Sequence, residues 1–261
     1  MQIVVCIKQV PDTSEVKLDP KTGTLIRQGV PSIINPDDKA GIEAAIQLRE
    51  KHGGKVTVLS MGPPQADVAL REALAMGADE AILLTDRAFA GADTWATSST
   101  LAAALRKIPH DLVITGRQAI DGDTAQVGPQ IAEHLDLPQV SYVADIQLEG
   151  DNHLILKRMF EDGYHLLKVE MPCLITTLSE LNTPRYMRVG YVYDAYREKE
   201  IVKWTLEDIV IDNSNLGLKG SPTRVKKSFT KGAKTAGKLY EVNTDESVQI
   251  IVNKMTEKFI I

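Results

Sequence analysis

The chain predicts an α/β fold: a Rossmann-like parallel sheet with helices on both faces, an added β-hairpin region and a C-terminal tail. Three observations carry this. Apolar runs without strict alternation recur at 2–9, 55–61, 80–85 and 111–115, as in strands buried on both faces. Stretches of helical period lie between them, giving strand–helix alternation. A polar Gly/Asp loop after the fourth run leads into another helix.

The run 2–9 (QIVVCIKQ) is a central strand, with Lys8 at the carboxyl end, where open α/β sheets gather their ligands. The residues leave Lys8 equally a ligand group and a solvated strand-end lysine. Alternation around the turn 19–23 reads as a small hairpin over 16–26. Asn35-Pro36-Asp37-Asp38 opens a helix with a cap residue, a proline at the first position and an acidic first turn. Its face Ile42, Ala45, Ile46, Leu48 is apolar, and Gly53-Gly54 ends it. A second strand spans 55–61, a second helix 66–76 closed by Gly77, and a third strand 80–85. The alanine-rich stretch 93–108 is a third helix, capped by Asp93 or Thr94. Thr94 and Thr97 share one side of it; capping and solvent exposure are the simpler account of both.

After Pro138 the pattern changes. Residues 143–159 alternate across the turn 149–152 as a hairpin, 160–163 turn again, and 165–170 and 171–177 follow as strands. The stretch 181–188 leads to a helix at 189–199, with Leu181, Tyr186 and Met187 either an exposed apolar anchor or the buried ends of elements. From 201 order weakens. Residues 204–208 are helix-like, and 217–238 is too rich in Gly, Ser, Thr and Lys to build a core. The last element, 245–259, is amphipathic, with Val248, Ile251, Val252 and Met255 on one side. It suits a tail clasped around a partner, or a helix packed on its own domain.

At 261 residues, 43% apolar and 25% charged, the composition is that of an ordinary globule. A net charge of −5 argues against nucleic acid as a partner. No apolar run reaches the length of a membrane span and no charged-then-apolar leader opens the chain, so a cytoplasmic location is expected. Cys6 and Cys173 lie in apolar strand-like runs and read as buried thiols. The five histidines lack ligand spacing, and no metal is expected.

The most informative stretch is 116–129, GRQAIDGDTAQVGP. The helix start that follows exposes unpaired backbone N–H groups and a partial positive charge, which suits a phosphate. Asp123 and Thr124 are cap-type residues, and Gly122 and Ala125 are small enough to admit a ligand to the backbone. These residues alone fit a phosphate site or a strand-to-helix turn that caps itself. No Gly-x-Gly-x-x-Gly follows the first strand and no Gly-rich loop with Lys-Ser/Thr follows any, against a stand-alone NAD dehydrogenase and an ATP-cleaving synthetase.

The wording of 118–129 resembles the nucleotide loop of electron-transfer flavoprotein β-subunits. Further motifs similar to that family occur in order: VVCIKQVPD at 4–12, Asn35-Pro36, Ser60-Met61-Gly62-Pro63, ALAMGAD at 73–79, Lys157-Arg158, MPCLITT at 171–177 and LNTPRY at 181–186. The resemblance implies an adenine-nucleotide-binding fold paired with an α-subunit. It also implies electron exchange with a flavin acyl-CoA dehydrogenase or reductase that docks at the stretch bearing Leu181 and Tyr186. Nucleotide contacts are implied for Cys6, Asn35, Asp38, Met61 and the loop Gln118, Ala119, Ile120, Asp121, Gly122, Asp123, Thr124, Ala125, Gln126, Val127 and Gly128.

Two subgroups are open. One holds a structural AMP. The other holds FAD, takes hydride from NADH and bifurcates the electrons between ferredoxin or flavodoxin and the FAD of the α-subunit. The second is favoured. Residues 86–94 resemble its flavin cradle and bring in Thr94 and Thr97; Val140-Ser141-Tyr142 with Ile146 and Arg158 resembles its flavin-side signature; and 220–230 is similar to its tail. Hydride chemistry would belong to flavin and nicotinamide, so no catalytic residue is named and Arg158 is the candidate for tuning the ring. On this resemblance 1–200 is a nucleotide- or FAD-binding α/β domain, with a recognition loop near 179–199, and 201–261 packs on the partner subunit. The rival of another class is a nucleotide-binding sensor module without a redox role.

Overall fold

The computed structural model describes residues 1–12, 31–226 and 237–261; the hairpin expected at 16–26 lies outside the described residues. Met1–Lys226 is one compact unit and Lys227–Ile261 another. The first runs β1 (Gln2–Cys6), β2 (Gln9–Pro11), β3 (Ser32–Ile34), α1 (Pro36–His52), β4 (Lys55–Met61), α2 (Asp67–Met76), β5 (Glu80–Leu84), α3 (Thr94–Leu105), β6 (Leu112–Gly116) and α4 (Val127–Leu135). It continues with β7 (Gln139–Glu149), β8 (His153–Met159), β9 (Tyr164–Glu170), β10 (Cys173–Thr177), α5 (Val189–Arg197), β11 (Val202–Trp204) and the single turn α6 (Gly217–Gly220).

The main sheet has the order β11-β5-β4-β1-β6-β10-β7-β8-β9, and its strands are parallel from β11 to β7. Only β8 runs the other way, pairing antiparallel with β7 and β9. Because side chains alternate along a strand, each central strand feeds two cores. Ile3 and Val5 of β1 pack with Ile42 and Ile46 of α1 and Leu70 and Leu74 of α2. Val4 and Cys6 pack on the opposite face with Leu101 and Leu105 of α3 and Ile131 of α4. Each such buried Leu or Ile contributes about 1.5–3 kcal/mol, which accounts for the continuous apolar runs in the sequence.

The helices begin with different chemistry. Asp93 caps α3 in the expected way, its Oδ1 accepting from Ala96 N at 3.0 Å. Asn35 stands at the cap of α1 but makes no capping bond. The α4 cap is Gln126 rather than Asp123 or Thr124.

Two expectations change after residue 200. Val202–Trp204, part of a stretch expected to be loosely ordered, pairs with β5 as an edge strand. Ile209 and Leu216 are buried in the α3/α4 core, and Ser221 Oγ accepts from Asp93 N at 2.8 Å, so the compact unit extends to Lys226. The polar composition hid these few apolar anchors. The second unit holds α7 (Thr244–Glu257), capped by Asn243 and carrying Val248, Ile251 and Val252 at exposed positions. Among the described residues no helix is long and apolar enough to cross a membrane.

The start of α4 sits hard against two strand ends. A Cβ on Gly128 would lie 2.5 Å from Thr115 Oγ1 and 2.8 Å from Thr176 Cγ2. Gly128→Ala is therefore expected to destabilise the unit by about 1–3 kcal/mol through overpacking. A denaturant-unfolding midpoint equal to that of the parent chain would show that α4 can lift away freely.

Candidate functional site

From β1 the chain adds β4 and β5 on one side, then returns to place β6 on the other. The strand order reverses between β1 and β6, and open α/β sheets bind ligands outside the carboxyl ends of the strands at such a point. Cys6 ends β1 level with Thr115 of β6. The segments leaving that edge are 7–9 and 117–126, flanked by the first turns of α1, α3 and α4. The loop expected from the sequence therefore lies at the switch point.

Asn35 and Asp38 bind this edge together. Asp38 Oδ2 accepts from Lys8 N at 2.7 Å, and its Oδ1 accepts from Gly116 N at 2.9 Å and Asn35 Nδ2 at 3.1 Å. Asn35 Nδ2 also donates to Gln118 O at 2.8 Å, while its Oδ1 accepts from Ile120 N at 3.1 Å. Lys8 Nζ reaches Asp121 Oδ1 at 2.6 Å, so the lysine suspected of meeting an anion is paired with the loop itself. Gly116 permits the contact, since a Cβ there would overlap Asp38 and Asp37.

The loop folds back at 119–123, where the N–H groups of Gly122 and Asp123 both donate to Ala119 O. Asp123 and Ala125 then take positive φ values of 48° and 52°, a left-handed conformation costing about 1–2 kcal/mol for an L residue. Gln126 returns to the right-handed region. A left-then-right sequence makes successive N–H groups converge into an anion-binding concavity. Among the described residues no acceptor meets the N–H groups of Thr124, Ala125, Gln126, Val127 or Gly128. The free donors are thus 124–128, and not the two glycine-side amides used in the turn. Gln118 Nε2 braces Asp123 Oδ1 at 3.0 Å, and Thr94 Oγ1 donates to Gln126 Oε1 at 2.9 Å. Thr97 lies one turn further along α3, half-buried.

Other named residues stand apart from this cluster. The Cys6 side chain points into the α3/α4 core, and burial together with the Asp38 charge pushes its thiol up to about 12. Met61 ends β4 and is half-buried. Arg158 lies on β8, reached from Gly116 through the register Gly116–Thr177–Val143–Arg158. Three inter-strand spacings put its backbone about 14 Å along the sheet edge. Its Nε is buried with no hydrogen-bond partner among the described residues, and its guanidinium lies over Phe160 at 4.7 Å. Nearby, an extra residue in β7 opposite β10 leaves Tyr142 at φ 61°, half-exposed, with its N–H on Thr176 Oγ1. Bulges of this kind re-aim side chains beside functional sites.

Leu181 and Tyr186 lie on the outer flank of α1. Asn182 Nδ2 donates to Ala40 O at 2.9 Å, and Arg185 forks onto Glu43 (2.8 and 3.1 Å) and Glu50 (2.6 and 2.9 Å). Between these pins and α5, Tyr186 is 96% exposed, whereas Leu181 is half-buried. Sequence reasoning did not single out Arg185 or its two carboxylates. The only local signal was the spacing of Glu43 and Glu50, two turns apart on one helix face.

The sequence has counterparts among known proteins. The chain matches the family model described as electron transfer flavoprotein domain over residues 22–209. It is 58% identical over 261 residues, the whole of both chains, to the electron transfer flavoprotein subunit beta of Thermoanaerobacterium thermosaccharolyticum. It is 56% identical over 264 aligned residues to the caffeyl-CoA reductase-Etf complex subunit CarD of Acetobacterium woodii, again over the whole of both. A third relative, the acryloyl-CoA reductase electron transfer subunit gamma of Anaerotignum propionicum, is 46% identical over the full length of both.

Burial pushes the Glu43 carboxyl up, but hydrogen bonds from Arg185 and Gln47 outweigh it and leave it below its ordinary value. Hydrogen bonds from Arg185 likewise hold Glu50 down. A lowered carboxylate stabilises the fold above its ordinary value of 4.5 and loses that contribution as pH falls through the folded-state value. Arg185→Ala leaves Glu43 buried without its cation and is expected to cost about 2–4 kcal/mol at neutral pH. In urea titrations the deficit should shrink below pH 4.5; a deficit independent of pH would assign the loss to packing instead.

Proposed function

Because the chain belongs to the electron transfer flavoprotein β-subunit family, we propose that it binds FAD at the 116–128 loop and accepts hydride from NADH. On this reading it pairs with an α-subunit in the cytoplasm and bifurcates the two electrons. One goes to ferredoxin or flavodoxin, and the other passes through the α-subunit FAD to an acyl-CoA dehydrogenase or reductase. Two of its full-length relatives are named for caffeyl-CoA and acryloyl-CoA reductase systems, which supports an acyl-CoA partner.

The observation that carries the reading is the row of free amides at 124–128, together with the orphaned Arg158 Nε along the same sheet edge. Five N–H groups beside a helix start suit a diphosphate. The separation of about 14 Å between Gly116 and Arg158 favours an elongated dinucleotide over a mononucleotide for any ligand that touches both ends. When bound, FAD supplies the hydride and single-electron chemistry; the protein supplies position and field.

The chain's residues have distinct tasks. The amides from Thr124 to Gly128 hold the diphosphate, and Thr94 fixes Gln126 so that the amides stay convergent. Arg158 offers a buried donor and a fixed positive charge to an electron-rich ring edge, raising the flavin's potential by favouring added negative charge. Tyr142, aimed by its bulge, walls the same end. Tyr186 presents an aromatic surface to the dehydrogenase or reductase, and half-buried Leu181 belongs to the same recognition segment.

Flavin stoichiometry of the purified heterodimer tests the cofactor directly. Two FAD per αβ pair is the expected result; one FAD with one AMP would assign the chain to the AMP-holding subgroup. Arg158→Ala should lower the potential of the β-subunit flavin while circular dichroism stays that of the parent. A redox titration with unchanged couples would remove Arg158 from the site.

A further inference from the structure

The carboxylate at the head of α1 is surrounded by N–H donors and not by cations. Lys8 N, Gly116 N and Asn35 Nδ2 occupy both oxygens of Asp38. Asn35 Nδ2 spends its second proton on Gln118 O, and its Oδ1 accepts from Ile120 N. Asn35 is 0% exposed and Asp38 6%. Both side chains, expected among the nucleotide contacts, spend these bonds on the chain itself. We propose that Asp38 is a positioning residue: as a carboxylate it ties the ends of β1 and β6 to the nucleotide loop, and on taking up a proton it holds its three donors less firmly and loosens the grip on the cofactor. The inference rests on the nucleotide reading of the loop.

The chemistry is that of charge-assisted hydrogen bonding. An ionised carboxylate only accepts, whereas a protonated one turns an oxygen into a donor. Three N–H groups converge here, two on Oδ1 and one on Oδ2, so a proton taking the last free site on Oδ2 removes the charge that strengthens all three bonds. No neighbour compensates. From β1 come the Cys6 thiol, kept protonated by burial, and Lys8, whose ammonium is committed to Asp121. From α1 comes Asp37, whose negative charge opposes ionisation of Asp38. Arg117, after β6, sits 3.4 Å from Asp37 Oδ2, and Glu180, after β10, also faces Asp37. Burial pushes the Asp38 carboxyl up to about 7, with the hydrogen bonds from Asn35, Lys8 and Gly116 pulling the other way. Its titration therefore falls near neutrality.

The experiment uses the full chain assembled with its partner subunit, stripped of nucleotide and titrated with FAD from about pH 5.5 to about 8.5. The FAD diphosphate keeps its charge over this range. Affinity should fall about tenfold towards the acid end, the effect of taking the charge out of these hydrogen bonds. Asp38→Asn should bind weakly throughout, with a flat profile. Amide exchange in the nucleotide-free protein, corrected for intrinsic rates, reads the clamp itself: Lys8, Gly116 and Ile120 should lose protection in Asp38→Asn and in acid. A flat profile for the unmodified protein overturns the proposal, and needs no variant that folds. So does an Asp38→Asn protein that keeps the parent's pH dependence. Protection that follows pH in a protein binding FAD at no pH would keep the clamp and overturn the nucleotide reading.

Discussion

The architecture depends on how closely the first turns of α1 can approach the carboxyl ends of β1, β6 and β10. A parallel sheet ends there in N–H and C=O groups that the next strand no longer satisfies. In this protein the substitutes come from one helix. Asp38 receives the N–H groups of Lys8 and Gly116, while Asp37 receives Ser179 N on its side chain and the Thr177 hydroxyl on its carbonyl. Gly41 and Gly116 allow the contact, because a side chain at either position would collide with the opposing element. Everything at the switch point is placed by that junction.

Much of this arrangement was legible. Strands buried on both faces leave continuous apolar runs, and β1, β4, β5 and β6 stand close to where those runs lie. The loop at 116–128 was legible because strand, polar turn and helix follow one another locally. What stayed hidden was non-local. Pairing of Gln9–Pro11 with Ser32–Ile34 joins segments far apart in sequence, and β11 is a three-residue edge strand without its own apolar run. The insertion of β10 between β6 and β7 is likewise a matter of crossovers. Asn35 reads as a helix cap because cap preference is local, yet Gln118, Ile120 and Asp38 outcompete that role. The turn at 119–123 also consumes the amides of Gly122 and Asp123, which no local pattern marks as paired.

The loop carries its own strain. Asp123 and Ala125 hold left-handed conformations that most sequences leave to glycine, while Gly122, which has open space around it, is not among the residues with positive φ. Such conformations persist where surrounding structure over-determines them. Here Lys8 on Asp121, Gln118 on Asp123 and Thr94 on Gln126 supply that constraint. The amides are thus held in place by the chain's own contacts, the arrangement an electrostatic site would require if reorganisation is not to be charged against binding.

Arg185 gives α1 a second role at its far side. The doubled fork onto Glu43 and Glu50 immobilises the backbone immediately before Tyr186, and α5 follows at once and lies on α2. The backbone that carries Tyr186 has little freedom left to surrender when another surface closes over it. Encounters there would be decided by shape and speed of approach, with almost no folding of the loop required.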